Sequence, residues 1–197
     1  MRPINNRYRS QTLKGYAQKK ITRYKEQDAQ KVAEYLLSIG NFPKSRIAYV
    51  DETGIDTYLF RAHCYAKRGE KIVGYVSGRK YRRIGLVAAQ MGHQILAPLQ
   101  YDGTMGSALF EHWFESRLMR ELPENSVIVM DNAAFHRKQA LAALAQKHGH
   151  NIIFLPPYSP ELNPIEHLWA RIKIRLKSNL ANFHNFDDAL HYCFKSF

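Results

Sequence analysis

Cysteine is nearly missing from this 197-residue chain: only Cys64 and Cys193 occur, far apart and outside any CxxC spacing. That excludes a disulfide framework and a cysteine-rich zinc site, and suits a reducing cytoplasm. Long apolar runs are missing as well. None approaches the roughly 18–20 residues that span a bilayer, so no membrane partner is expected. The first twenty residues, MRPINNRYRSQTLKGYAQKK, hold no apolar stretch of the kind a secretory signal requires. No internal repeat or low-complexity tract occurs. Acidic side chains are scarce beside basic ones, 17 against 29. What is present is globular: 45% of residues are apolar and 12% aromatic, which excludes a disordered chain. The length supports one domain with a substantial core, but not two large ones.

The charge imbalance is uneven along the chain. Residues 1–46 carry eleven basic and three acidic side chains, which is two-thirds of the net +12. Such an arm points to a polyanion, with nucleic acid the leading candidate and a solvated basic tail the alternative. Two parts are expected: a basic linker or arm with a helix over 1–44, and one folded unit over 45–197.

Periodicity supplies the elements. Val32, Leu36 and Ile39 recur at helical spacing in a stretch from Ile21 to Ile39 that stops at Gly40. A short apolar strand, 46–50, runs into Asp51, and 57–76 read weakly as strand and loop pieces. Two apolar runs, 84–90 and 94–99, flank Met91-Gly92-His93 as a hairpin. A helix is expected over 107–122, a buried strand over 127–130 and a helix over 137–148 with Gly149 past its end. A strand over 152–155 leads through Pro156-Pro157-Tyr158-Ser159-Pro160 to a helix opening at Asn163-Pro164, and a last helix covers 186–194. Trp113 and Trp169 read as core. Strands followed by alternating strands and helices give a mixed α/β sheet.

Two strands end in an acid, IAYV-Asp51 and VIVM-Asp131, at the sheet edge where α/β sites collect. Each could equally be a strand-closing turn residue. Glu166 has its own structural reading, as the N3 member of a capping box with Asn163 at N-cap and Pro164 at N1. On that helix Glu166, Lys173 and Lys177 share one flank of the apolar stripe, and Arg171 and Arg175 lie on the other. A carboxylate followed by lysines suits a metal ion with a phosphate backbone running past it; charge decoration of a solvated helix is the alternative. Three carboxylates brought close repel one another unless a cation neutralises them, and hard oxygen ligands suit Mg²⁺ or Mn²⁺. Two such ions in one site activate an attacking oxygen and stabilise a leaving one.

Three blocks, VDETGI at 50–55, VIVMDNAAFH at 127–136 and LPPYSPELNPIEHLW at 155–169, together resemble the DDE transposases of the IS630/Tc1/mariner superfamily, the IS630 branch especially. Thirty-four residues separate Asp131 from Glu166, the spacing that group is named for. The likeness covers about residues 45–180. It implies an RNase H-like mixed sheet flanked by helices, with Asp51, Asp131 and Glu166 as catalytic and metal-binding residues and Mg²⁺ or Mn²⁺, two ions per site, as cofactor. Glu52 and Glu161 are rival acids; Glu166 is preferred because the family's third acid stands in the NPIE position. Asn132 and His136 match the family's DNAxxH block as auxiliary residues, although His136 could also cap the next helix.

The implied partners are double-stranded DNA, as transposon ends and target (TA), with a homodimer assembled on it. The implied setting is the prokaryotic cytoplasm, at the nucleoid. Lys173, Lys177, Arg171 and Arg175 are the expected DNA contacts. Full-length relatives carry N-terminal helix-turn-helix domains that this sequence lacks. A DNA-binding remnant or regulator without turnover is therefore the alternative function, and an RNase H-like repair nuclease is a third.

Overall fold

The computed structural model describes residues 24–56, 69–71, 73, 75, 78 and 82–195. The arm at 1–20, Cys64 and most of 57–76 fall outside the described residues. Within them the order is α1 (Ala29–Gly40), β1 (Ile47–Asp56), β2 (Arg83–Met91), β3 (Gln94–Asp102), α2 (Ser107–Trp113), α3 (Met119–Glu121), β4 (Val127–Met130), α4 (Lys138–Lys147), β5 (Asn151–Phe154), α5 (Ile165–Asn179) and α6 (Phe186–Phe194). A π-helical turn, Phe114–Leu118, joins α2 to α3, so the helix expected over 107–122 is one rod with a wide turn inside it.

The five strands form one mixed sheet in the order β3-β2-β1-β4-β5. Strands β3, β2 and β1 pair antiparallel, while β1, β4 and β5 run parallel. The hairpin turns at Gly92, which adopts φ +58°. Pro98 lacks an N–H and is tolerated because β3 is an edge strand. Beside it the β2/β3 register shifts and Ala97 takes φ 49°. The groups freed there are satisfied from the π-helical rod: Ala97 N–H donates to Glu121 Oε2 at 2.7 Å, and Trp113 Nε1–H donates to the Ala97 carbonyl at 2.7 Å.

Strand alternation divides the core into two layers. Ala48, Val50, Val87, Ala89, Ile128 and Met130 face Phe110, Trp113, Phe114 and Leu118 of the rod and Leu141 of α4. On the other face Ile55, Ile84, Leu86 and Ala88 pack against Ile165, Leu168, Trp169, Ile172 and Leu176 of α5 and Leu190 of α6. Tyr35 of α1 covers Ile47, Val127 and Val129 on that second face.

Three expectations need correction. The first helix starts at Ala29, not Ile21, because Asp28 caps it, accepting from Gln30 N–H at 2.9 Å and Lys31 N–H at 3.3 Å. Strand β1 does not end at Asp51; it continues to Asp56, held by antiparallel pairing with β2 through Asp51↔Ala88 and beyond. The capping box at α5 does not form. Helix α5 begins at Ile165 with no side-chain cap, and the buried Asn163 Oδ1 has no hydrogen-bond partner among the described residues. Pro164 removes an N–H, and the first turn closes through main-chain bonds from Glu166 and His167 to the carbonyls of Asn163 and Pro164.

Candidate active site

Asp51 and Asp131 reach the same level of the sheet by register. Strands β1 and β4 are parallel neighbours with Tyr49 opposite Val129, and two residues on from each stands an aspartate. Adjacent strands lie about 4.8 Å apart, so the two carboxylates are set side by side by backbone alone. Both follow the odd-numbered alternation that faces α5. Helix α5 then delivers Glu166 in its first turn. Asp51, Asp131 and Glu166 line one cavity of about 540 Å³, together with Asn132, Pro156, Pro157, Tyr158 and Tyr24.

The acids differ in electrostatics. Burial, reinforced by the neighbouring carboxylates of Glu166, Glu52 and Asp131, pushes the Asp51 carboxyl up to about 8. Trp169 Nε1–H donates to Asp51 Oδ2 at 3.1 Å and fixes its orientation. Asp131 moves the other way. A hydrogen bond from His136 lowers its pKa, burial opposes that, and the Ala133 N–H, donating to Oδ1 at 2.9 Å, lowers it further. Glu166 is exposed. Among the described residues no three His, Cys, Asp or Glu side chains are grouped closely enough to hold an ion as they stand.

His136 lies beneath the site, with its side chain 1% exposed. Nδ1 is 3.3 Å from Asp131 Oδ1, and Nε2 is 3.5 Å from Glu52 Oε1. Glu52 follows Asp51 on the strand and so points through the opposite face of the sheet. It serves His136 and does not line the cavity. Asn132 donates from Nδ2 to the Leu155 carbonyl at 2.6 Å and accepts from Lys138 Nζ, tying the exit of β4 to the end of β5. Glu161, the other rival acid, accepts from Gln27 Nε2 at 2.5 Å.

The sequence family described as DDE superfamily endonuclease matches residues 46–189, nearly three-quarters of the chain. The chain belongs to that family. An uncharacterized protein, y4pE/y4sA of Sinorhizobium fredii, is 31% identical to this DDE chain over 122 residues, covering 62% of the chain and 78% of that protein. The transposable element Tcb1 transposase of Caenorhabditis briggsae is 31% identical over 84 residues, covering 41% of the chain and 31% of that protein. Among solved structures, the Mos1 transposase paired-end complex with left transposon end matches with a TM-score of 0.64 at 16% identity, over 93% of this chain and 67% of that one. At that identity the likeness shows the fold, which is the RNase H-like mixed sheet. The chain thus spans about a third of the Tcb1 protein and about two-thirds of the Mos1 chain.

The expected DNA contacts in this DDE chain divide in the structure. Lys173 Nζ donates to Thr53 Oγ1 of β1 at 2.6 Å, two residues along the strand from Asp51 on the same face. Arg175 lies over the Tyr192 ring of α6, 5.2 Å from its centroid. Lys177 is half-buried and Arg171 exposed. Trp169, read from the sequence as core, is core with its ring and polar with its Nε1–H. Glu52, a rival acid in the sequence, is placed against His136 and not in the cavity, a role that only strand alternation reveals; Tyr24 had no sequence signal and lines the cavity by the tertiary position of the segment before α1.

Proposed function

We propose that this chain is the catalytic domain of a DNA transposase, residues 45–197, preceded by a basic arm over 1–44. In this reading it cleaves DNA at transposon ends and transfers the 3′-hydroxyl strand into target DNA. The observation that carries the reading is the convergence of Asp51, Asp131 and Glu166 on one cavity from β1, the exit of β4 and the first turn of α5, in a chain of the DDE family.

The donor set fits Mg²⁺ or Mn²⁺: three carboxylates, all hard oxygen, one of them, Asp51, destabilised as an anion by burial and then by Glu166, Glu52 and Asp131. Carboxylates sharing one cavity repel one another when ionised, and a bound divalent cation would supply the charge that neutralises them. Solved complexes of the Mos1 transposase that match this chain are described with Mn and with Mg. Two ions held by these residues would supply charge neutralisation for an in-line displacement at phosphorus. The protein contributes the rest. Trp169 orients Asp51, and His136 and the Ala133 N–H orient Asp131 and hold it ionised. Lys173, Lys177 and Arg171 supply positive charge along α5 for the phosphate backbone, with TA-containing target and a dimer on DNA as the finer expectations.

Cleavage and strand transfer on supercoiled plasmid, and on linear DNA carrying candidate element ends, test this reading with Mg²⁺, Mn²⁺, Ca²⁺ or EDTA. Cutting with Mg²⁺ or Mn²⁺ is expected for the wild type and is lost in Asp131→Ala and Glu166→Gln. Undiminished cutting by Asp131→Ala overturns the assignment. Tight DNA binding with no cutting in any metal favours the remnant or regulator.

A further inference from the structure

Two tyrosines stand at the mouth of the carboxylate cavity with their rings in solvent. Tyr24 is 56% exposed and Tyr158 55%, and both line the cavity that holds Asp51, Asp131 and Glu166. They come from remote parts of the chain, one just before α1 and the other in the turn between β5 and α5. Their ring centroids are 6.0 Å apart and their planes are inclined at 41°.

This arrangement is costly and contributes nothing to the core. Tyr158 holds a left-handed backbone, φ 57°, which for a residue with a bulky side chain costs about 1–2 kcal/mol. A clasp maintains it. Gln27 Nε2 reaches the Tyr158 carbonyl at 3.3 Å, Ser159 Oγ at 2.9 Å and Glu161 Oε1 at 2.5 Å, and Ser159 Oγ donates to the Pro157 carbonyl at 3.2 Å. The same clasp fixes the start of α1, and so Tyr24, against the turn. Buried tyrosines gain from apolar contact; these two are held apart from it, side by side, next to three acids.

The ligand that fits is flat, has a π face and is attached to phosphate. We propose that Tyr24 and Tyr158 form a stacking platform for an unpaired nucleobase adjoining the phosphodiester that Asp51, Asp131 and Glu166 act on. A base sandwiched between parallel rings needs about 7 Å, two contact distances of about 3.5 Å. At 6.0 Å and 41° the pair is instead a wedge, so the base stacks on one ring and meets the edge of the other. Only an unstacked base offers that face, since in a duplex its neighbours cover it. The platform rests on the DNA-cleavage reading and adds to it a requirement for local unpairing at the site.

Fluorescence anisotropy with the full chain tests this, with Ca²⁺ present. Three probes are compared: a short blunt duplex, the same duplex with a short thymine overhang, and the same overhang made of abasic sugar-phosphate. The thymine overhang is expected to bind about tenfold tighter than the other two, as one stacked base contributes about 1–3 kcal/mol. Tyr24→Ala and Tyr158→Asn are expected to lose that gain, and Tyr24→Phe and Tyr158→Phe to keep it. Asn tolerates a left-handed backbone, so Tyr158→Asn removes the ring without straining the turn. Equal binding of thymine and abasic overhangs, or a gain that survives both ring deletions, overturns the platform and leaves the catalytic reading standing. Failure of the wild type to bind any of the three duplexes overturns the DNA reading, and the platform with it.

Discussion

His136 Nε2 and Glu52 Oε1 face each other at 3.5 Å inside the protein, and neither atom has a hydrogen-bond partner among the described residues. Through Nδ1 the same ring reaches Asp131 Oδ1 at 3.3 Å. One imidazole thus joins an acid on the inner face of the sheet to an acid in the cavity. Burial by itself would lower the His136 pKa, but the Asp131 and Glu52 carboxylates on either side of the ring outweigh it and raise the value to about 9. The ring is a cation at neutral pH.

Removing it leaves the half-buried Glu52 without a counter-charge and Asp131 without its anchor. His136→Ala and Glu52→Gln should each lower cleavage by about 10–100-fold, the usual effect of losing a partner that orients a ligating group. Dose–response curves in Mn²⁺ separate this from misfolding: a positioning role raises the metal concentration needed for half-maximal cutting, whereas a folding defect lowers the yield at every concentration.

Without metal, stability should fall as pH rises from about 4 to 9. Asp51 is raised in the folded state, so between its ordinary value of 3.8 and about 8 the native protein binds more protons than the unfolded chain. His136 is raised from 6.5 to about 9, and its contribution, complete below 6.5, is lost through that second window. Thermal melts in EDTA at pH 5 and pH 8 check this. Asp51→Asn should raise the pH 8 midpoint by a few degrees, for about 1 kcal/mol or more of relieved repulsion, and abolish cutting. A lower pH 8 midpoint than wild type would count against a repelled Asp51.

Trp169→Phe keeps the ring that packs in the core and removes only the bond to Asp51 Oδ2. A hydrogen bond to a charged group contributes about 1.5–3 kcal/mol, so the cleavage rate should drop about tenfold or more. Trp169→Leu, which also loses packing, should cost more in melting temperature than Trp169→Phe. Equal cleavage by Trp169→Phe and wild type would remove the orienting role.

Salt dependence should sort the basic residues of α5. Lys177→Ala is expected to flatten the slope of log affinity against log salt by about one contact. Arg175→Ala should leave that slope unchanged, because its guanidinium stacks on Tyr192 of α6. The readout is a titration of duplex binding across salt for both variants.

Gly85 pairs with Tyr101 across the β2/β3 ladder, and a Cβ on Gly85 would sit 2.2 Å from the Tyr101 ring. Gly85→Ala should therefore lower the melting temperature, and combining it with Tyr101→Ser should restore part of the loss. Additive losses in the double variant would show that the two positions do not compete for space.

Much of this was legible in the residues. The hairpin turning at Gly92, the buried strand Val127–Met130, the end of α4 before Gly149 and helix α6 all follow from periodicity and turn chemistry. Acids at 51, 131 and 166 were legible as candidates from their motifs. Three things were not. The extension of β1 past Asp51 depends on pairing with β2, a non-local contact that strand patterning at 46–50 does not encode. The N-cap at Asp28 was hidden because the basic residues upstream continue a polar, helix-compatible composition. The Asn163 capping box looked complete in sequence, yet Pro164 and the buried turn before it hold that side chain elsewhere.

Asp51 and Glu52 are consecutive acids on one strand, projecting to opposite sides of the sheet. Sliding β1 by a single position against its neighbours would exchange them, sending a glutamate into the cavity and an aspartate toward His136. Each place would still hold a carboxylate, so the chain would pass any inspection that counts acidic letters. The longer side chain would overshoot one place and the shorter would fall short of the other. The frame of β1, set by eight matched residues of β2, is therefore as much a part of the site as the acids themselves.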